Sequence, residues 1–268
     1  MDNKLEKLVT ILKEMERVIV AYSGGVDSAF LLKVATDNLA DLAVGVTAVS
    51  ASFPARELTE AKEIAQQIKA RHVLLETRET EDPRYLENTP NRCYFCKTDF
   101  YDDLVKYAQQ NGYRYIVDGT NLDDVGDHRP GRQAAREHGV RSPLQEAGFT
   151  KADIREKARE MGLPNWDKPA SACISSRIPY GTTITLDILA QVEQAESILR
   201  DLGFRQVRVR HHDQIARIEV EPEELARVLK LRQEINSSLR KVGYTYVTLD
   251  IAGFRSGSMN EVLGLNGR

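Results

Sequence analysis

A short apolar run, Arg17-Val18-Ile19-Val20-Ala21-Tyr22, leads directly into Ser23-Gly24-Gly25-Val26-Asp27-Ser28 and then into a stretch carrying Phe30, Leu31, Leu32 and Val34. That order reads as a buried strand, a tight turn and a helix. The glycines let the backbone approach a ligand without a Cβ in the way. Backbone N–H groups, two serine hydroxyls and a helix N-terminus then converge, which is equipment for holding an anionic phosphate chain. No Gly-Lys-Ser/Thr follows, so the turn is not the P-loop of kinases and ordinary ATPases. Read blandly, the same residues are a Gly-Gly connection between a strand and a helix.

The alternation continues through the first half of the chain. Leu5, Leu8, Ile11 and Leu12 form a helical stripe, Leu42 to Val49 is a near-continuously apolar strand, and Pro54 opens a helix running to about Ala70. His72 to Leu75 and Tyr115 to Val117 are further strands. Lys97 to Gln110 is helical, with Cys93-Tyr94-Phe95-Cys96 preceding it, and Thr150 and Asp153 have capping-box spacing. This predicts an α/β fold with a doubly wound parallel sheet, in which ligands bind beyond the carboxyl ends of the strands. The turn at Ser23 to Ser28, the loop after Val49 and the segment Asp118 to Asn121 should then surround one site. Pro164, Pro169, Pro179 and Gly181 break the rhythm. After them come a helix (Leu186 to Leu202), two strands (Gln206 to His211, Gln214 to Val220), a helix (Pro222 to Lys241) and a strand (Tyr244 to Ile251). The expected organisation is a domain carrying the Ser23 to Ser28 turn over 1–165, a linker with Cys173 over 166–184, and a smaller α+β domain over 185–268.

A chain of 268 residues can bury a large core, and 41% hydrophobic with 29% charged residues is an ordinary globular composition. Net charge −3 exerts no pull on nucleic acid or anionic membranes. The start carries acidic residues and no apolar core segment, and no stretch approaches a bilayer span, so a cytoplasmic location is expected. Three cysteines are an odd number for a disulfide framework and turn attention to metal or catalytic chemistry. By spacing, Cys93, Cys96 and Cys173 fit a [4Fe–4S] cluster with one open iron. They equally fit a zinc site completed by His128 or His72, a redox pair with a separate Cys173, or three structural thiols.

Ser23 to Ser28 resembles the PP-loop of the ATP pyrophosphatase superfamily (adenine nucleotide alpha hydrolase-like), which grips the β,γ-pyrophosphate and splits ATP into AMP and pyrophosphate. Four further segments are more specific: Asn91-Arg92-Cys93-Tyr94-Phe95-Cys96-Lys97, Asp118-Gly119-Thr120-Asn121, Pro169 to Gly181 around Cys173, and Gly253-Phe254-Arg255-Ser256-Gly257. Together they resemble the LarE family over essentially the whole chain. The resemblance implies an ATP-dependent sulfur transferase of nickel-pincer nucleotide biosynthesis. Such an enzyme adenylates carboxylates of pyridinium-3,5-biscarboxylic acid mononucleotide and replaces AMP with sulfur. Some family members sacrifice the sulfur of the cysteine matching Cys173. Others hold a [4Fe–4S] cluster on three cysteines, and the presence of all three here favours that version.

In this reading Ser23, Gly24, Gly25, Val26 and Ser28 hold the pyrophosphate of ATP, and Asp27 positions the loop or Mg²⁺. The backbone at Thr47 and Ala48 meets adenine, while Gly119 and Thr120 close the nucleotide pocket. Asp123 and Asp124 are candidates for Mg²⁺ or substrate positioning, or simply an acidic surface loop. Lys97 could stabilise charge on the adenylate, or be a solvated first-turn lysine. Arg208 and Arg210 alternate on a strand and so share a face, and paired guanidiniums suit a phosphate. By resemblance they form the substrate-phosphate site with Arg255 and Glu196; otherwise they are charges protecting a strand edge. Of His211 and His212, on opposite faces, at most one joins them. Cys173 is either a cluster ligand or the consumed sulfur donor. A homo-oligomer acting on a small nucleotide, with no nucleic acid or membrane partner, is expected. The alternatives are a cluster-dependent tRNA thiolation enzyme, a nucleotide-binding regulatory module with a zinc clip, and a synthetase of the NAD-synthetase type.

Overall fold

The computed structural model describes residues 2–124, 130–169, 171–255 and 257–263. The chain forms two compact units, Met1–Glu79 with Asn91–Ser171, and Thr80–Pro90 with Ala172–Arg268. In the first, helix α1 (Asp2–Met15) precedes β1 (Val18–Ala21), α2 (Val26–Leu39), β2 (Ala43–Val49), α3 (Ala55–Gln67) and β3 (Arg71–Glu76). After β3 the chain contributes a short helix, α4 (Pro83–Leu86), to the second unit. It then resumes the first unit with α5 (Arg92–Gln110), β4 (Tyr115–Val117), α6 (Pro130–Glu137), α7 (Pro143–Ala147) and α8 (Lys151–Glu160).

The four strands pair in the order β3-β2-β1-β4, all parallel. Period-2 alternation in β1 sends Val18 and Val20 into one apolar cluster and Ile19 into another. The first cluster is built with residues of α1, α2, α3, α7 and α8, including Leu12, Phe30, Ala61, Leu144 and Ile154. The second uses Phe100 and Leu104 of α5 and Ala134 of α6. Both sheet faces are thus covered, and the sheet is doubly wound as expected. Because every strand points the same way, the turns after β1, β2 and β4 emerge at one edge.

The second unit adds α9 (Leu186–Asp201), β5 (Val207–His212), β6 (Ile215–Val220), α10 (Leu225–Lys230), α11 (Arg232–Lys241) and β7 (Tyr246–Leu249). Strands β5 and β6 are antiparallel, β6 and β7 parallel, in the order β5-β6-β7. Ala195, Leu199, Phe204, Val209, Ile218, Leu239 and Tyr244 close its own core. Among the described residues no helix is long and apolar enough to cross a membrane.

Three local expectations are corrected. The helix of the cysteine pair begins at Arg92, with Asn91 as N-cap, so Cys93 and Cys96 lie inside the helix near its start rather than ahead of it. The helix expected over 222–241 is a 3-10 turn and two helices broken at Leu231, whose φ and ψ of −90° and 8° leave helical geometry. Pro54 is the N-cap of α3, one residue ahead of its first helical position. His128, Ala170 and Ser256 fall outside the described residues.

The capping box that opens α8 is present in both directions, Thr150 accepting from the Asp153 N–H and Asp153 accepting from the Thr150 N–H. Lys4 of α1 adds an ion pair to Asp153 at 2.7 Å. That hydrogen bond to Lys4, then those from Thr150, hold the Asp153 carboxyl at about 2. An unfolded aspartate titrates near roughly 3.9, so this stabilisation is complete above about pH 4 and vanishes as pH falls through about 2. Asp153→Asn should therefore cost about 1 kcal/mol at pH 7. Thermal unfolding of both proteins as a function of pH checks this: the gap must narrow below pH 4, and a gap constant with pH would refute it.

Candidate functional site

The turn after β1 is shaped before any ligand arrives. Gly24 adopts φ +75°, and a Cβ there would lie 2.8 Å from the Ala61 Cβ of α3. Gly25 is the N-cap of α2 and contributes no side-chain cap, so the first-turn N–H groups are offered to an anion. The Ser23 N–H donates to the Ser28 hydroxyl at 3.2 Å, the two hydroxyls stand 3.2 Å apart, and Ser28 donates to the Gly25 carbonyl at 3.1 Å. Asn165 donates to the Gly24 carbonyl at 3.0 Å, a contact between residues 141 positions apart that no local pattern announces. Gly119, past the end of β4, packs so tightly on the start of α2 that a Cβ would sit 2.9 Å from the Ser28 nitrogen. Thr120 is fixed beside it by its N–H and hydroxyl, both donating to Asp118. The Thr47 hydroxyl is committed to the Tyr22 carbonyl at 2.7 Å and to His72 at 2.8 Å, which leaves the backbone at Thr47 and Ala48 as what this position can present.

Two carboxylates meet at this edge. Asp27 accepts from the Asn121 amide at 3.2 Å, and Asp124 accepts from the Asn121 N–H at 3.1 Å. Burial, and next the charge of Asp124, push the Asp27 carboxyl up to about 6, against the pull of Lys151, Arg155 and Asn121. An acid whose pKa is raised by a neighbouring carboxylate is relieved by a cation, and hard oxygen ligands suit Mg²⁺. Lys151 lies 3.2 Å from Asp124, and its N–H donates to Asp123. Asn121, the last residue of the Asp118 to Asn121 segment, bridges the two carboxylates.

Cys93 is exposed and Cys96 half-buried, three residues apart near the start of α5, where they are neighbours on one face and near the positive end of the helix dipole. That is a good pair of metal ligands from one element. The third cysteine, Cys173, belongs to the second unit. Among the described residues no three His, Cys, Asp or Glu side chains gather as a metal-binding group. The Lys97 ammonium stands over the rings of Phe100 and Tyr101, at 5.3 and 5.7 Å. Lys97 is itself exposed, and the neighbouring Tyr101, Cys96, Asp118 and Cys93 raise its pKa.

In the second unit Arg208 and Arg210 leave the same face of β5, as alternation predicts, but they are buried rather than spread along an exposed edge. Arg208 lies 5.4 Å over the Phe254 ring. Burial first, then Arg177, Arg200 and Arg210, press its guanidinium down to about 10, with Glu196 opposing. Crowded guanidiniums of this kind favour an anion. Arg210 donates to Glu219 at 2.7 Å and to Ser258 at 2.9 Å. Arg255 is held at the surface by Glu261 at 2.9 Å. His211 is buried against the Tyr244 hydroxyl, and the His212 Nε2 is buried with no hydrogen-bond partner; burial lowers both pKa values.

Glu196 is placed differently from what a substrate-contacting group requires. It is fully buried, and its oxygens accept from Arg177 (2.7 and 2.9 Å), Arg200 (2.8 Å) and the Val209 N–H (3.0 Å). Desolvation would raise its pKa, but Arg177, Arg200 and Arg208 overcome this and keep it ionised. Its partner Arg177 lies in the Pro169 to Gly181 segment around Cys173. It also donates to the carbonyls of Ala172 and Cys173, at 2.7 and 2.9 Å.

No protein-family model matches the chain. It is 46% identical over 265 residues to an uncharacterized protein of Synechocystis, covering 98% of this chain and 99% of the other. It is 27% identical over 192 residues to the tRNA-specific 2-thiouridylase MnmA of Treponema denticola, covering 58% of this chain and 52% of that enzyme. It is 44% identical over 261 residues to the pyridinium-3,5-bisthiocarboxylic acid mononucleotide synthase of Lactiplantibacillus plantarum, covering 97% of this chain and 95% of the synthase. With a glycine turn and helix N-terminus at the sheet edge and full-length identity of this order, the chain belongs to the LarE family, that of the pyridinium-3,5-bisthiocarboxylic acid mononucleotide synthase.

Proposed function

We propose that this protein is an ATP-dependent sulfur transferase that converts carboxylates of pyridinium-3,5-biscarboxylic acid mononucleotide into thiocarboxylates, in nickel-pincer nucleotide biosynthesis. The observation that carries the reading is the 44% identity to a synthase of the bisthiocarboxylic acid over 97% of the chain. The substrate carboxylate attacks the α-phosphorus of ATP, pyrophosphate leaves, and an acyl-adenylate forms. A sulfur nucleophile then adds to the activated carbonyl, and AMP leaves with the carboxylate oxygen on its phosphate. Among organic functional groups a thiolate suits that attack because it is strongly nucleophilic near neutral pH.

Each residue set has its part in this sequence. Ser23, Gly24, Gly25, Val26 and Ser28, with the α2 N-terminus, hold the pyrophosphate portion of ATP. Asp27 and Asp124 hold the Mg²⁺ that travels with it, oriented by Asn121. The backbone at Thr47 and Ala48 and the Gly119-Thr120 turn enclose the nucleoside. Lys97 keeps a positive charge for the adenylate. Arg208 and Arg210, with Arg255 nearby in sequence to Phe254, receive the substrate's phosphate, and Glu196 orients Arg177 rather than touching substrate.

Cys93, Cys96 and Cys173 would hold a [4Fe–4S] cluster in this proposal, which rests on the presence of all three cysteines in a chain that resembles the cluster-dependent members of its family. Such a cluster, when bound, supplies a sulfur carrier that survives turnover. The alternative is direct loss of the Cys173 sulfur. Three thiols held reduced fit a cytoplasmic setting, and the family resemblance implies a homo-oligomer.

Asp27→Ala should lower substrate-dependent pyrophosphate release about 100-fold or more, because it removes a carboxylate from the metal-binding edge. Release at the wild-type rate would remove Asp27 from the mechanism. Arg208→Ala should raise the KM for the pyridinium substrate by roughly 10- to 100-fold, the worth of a charged hydrogen bond, and leave the KM for ATP unchanged. Equal effects on both KM values would refute the assignment. Anaerobically prepared protein should hold about four iron and four acid-labile sulfide per chain, and Cys93→Ala should lose both along with repeated turnover. Iron-free protein whose Cys173 loses one sulfur mass after a single turnover would establish the sacrificial route instead.

A further inference from the structure

Cys173 stands at the head of a single 3-10 turn, Ile174–Arg177, in the second unit. Its thiol is half-buried, but its backbone is tied down from two directions. The Arg177 side chain, fully buried, donates one amino group to the carbonyls of Ala172 and Cys173 and to the Ser176 hydroxyl, at 2.7, 2.9 and 2.9 Å. The Ser176 hydroxyl itself donates to the Cys173 carbonyl at 2.8 Å. Arg210, from β5, donates to the Ser176 carbonyl at 3.1 Å.

The other edge of the Arg177 guanidinium grips Glu196 through two parallel hydrogen bonds, and Glu196 accepts from the backbone N–H of Val209. Val209 lies between Arg208 and Arg210 on β5. Two continuous routes therefore join the arginine strand to the cysteine turn. One runs from β5 through Glu196 and Arg177 to the Cys173 carbonyl, the other from Arg210 to the Ser176 carbonyl. The guanidiniums of Arg177, Arg200, Arg208 and Arg210 repel one another across this cluster. An anion seated on β5 would offset that repulsion, which opposes holding Arg177 and Arg210 in the positions from which they grip the cysteine turn, and so would favour both straps.

We propose that Arg177 is a positioning residue that couples anion occupancy of the Arg208–Arg210 strand to the placement of Cys173. The coupling rests on the reading of that strand as the substrate-phosphate site. It makes the cysteine turn ordered when substrate is seated and looser when it is not.

The test uses the full chain freed of iron, inorganic phosphate as the anion, and iodoacetamide as an uncharged probe of thiol access. Phosphate binding is followed by calorimetry, and alkylation of each cysteine by peptide mass analysis, with Cys93 and Cys96 as internal references. Saturating phosphate should slow Cys173 alkylation about fivefold or more in the wild type. Arg177→Lys should still bind phosphate through Arg208 and Arg210 yet lose that slowing. Phosphate that binds without changing Cys173 alkylation, or a wild-type response in R177K, overturns the coupling. Absence of phosphate binding in the wild type overturns the arginine-strand assignment beneath it. If R177K does not fold, Ser176→Ala removes the hydroxyl bridge between Arg177 and the Cys173 carbonyl; a reduced response supports the proposal and an unchanged one overturns it.

Discussion

The constraint on which the first unit depends is the parallel pairing of β3, β2, β1 and β4. Parallel strands cannot be joined by hairpins, so each needs a crossover, and every carboxyl end then faces the same edge. That edge receives the turn after β1, the loop after β2 and the segment after β4 with no further arrangement. Gly24 and Gly119 sharpen it. The first allows the left-handed turn against α3, and the second lets the strand β4 loop lie directly on the start of α2. Their job is close approach rather than flexibility, since a Cβ at either place would collide with a fixed neighbour. The α2 N-terminus is thereby aimed at whatever the surrounding loops enclose.

The second unit rests on a different interaction, the buried pair of Arg177 and Glu196. Removing two charges from water is costly, and a buried ion pair rarely stabilises more than well-packed apolar side chains would. Loss of one partner would strand the other at about 3–5 kcal/mol. The geometry explains why such a pair is worth keeping. An apolar residue at 177 could fill the volume, but it could not donate to the carbonyls of Ala172 and Cys173. Nor could an apolar residue at 196 anchor Arg200 and the backbone of Val209 at the same time. The pair is therefore better understood as a device for orientation than as a source of stability.

What the sequence could and could not reveal follows from the range of the interactions involved. The β1–turn–α2 unit was legible because its signals are local: an apolar run, two glycines, then a helical stripe. The α8 capping box was legible for the same reason, three residues apart. The start of α5 is not legible because Cys, Tyr and Phe at 93–95 are indifferent helix formers. The break at Leu231 carries neither Gly nor Pro to announce it. Residues 80–90 join the second unit through Asn88, at φ +54°, whose amide donates to the carbonyls of Pro179 and Thr182 some ninety positions away. No pattern within a window of sequence encodes such a contact.

The candidate site divides along the same line. Residues whose role is to offer a backbone or a charge at a strand end, such as Gly25, Asp27 and Gly119, could be named from type and position. Residues that act by holding another residue could not, and Asn121, Asn165 and Arg177 are all of this kind. Glu196 shows the ambiguity this produces. The family resemblance implies a direct role for it, but a carboxylate beside guanidiniums is equally at home as a ligand-binding group or as a counter-ion. Burial separates the two: a carboxylate with both oxygens saturated inside a unit has no lone pair to spend on substrate. Its effect on chemistry must pass through what it orients, and the guanidinium it orients is the one that also grips the Cys173 backbone.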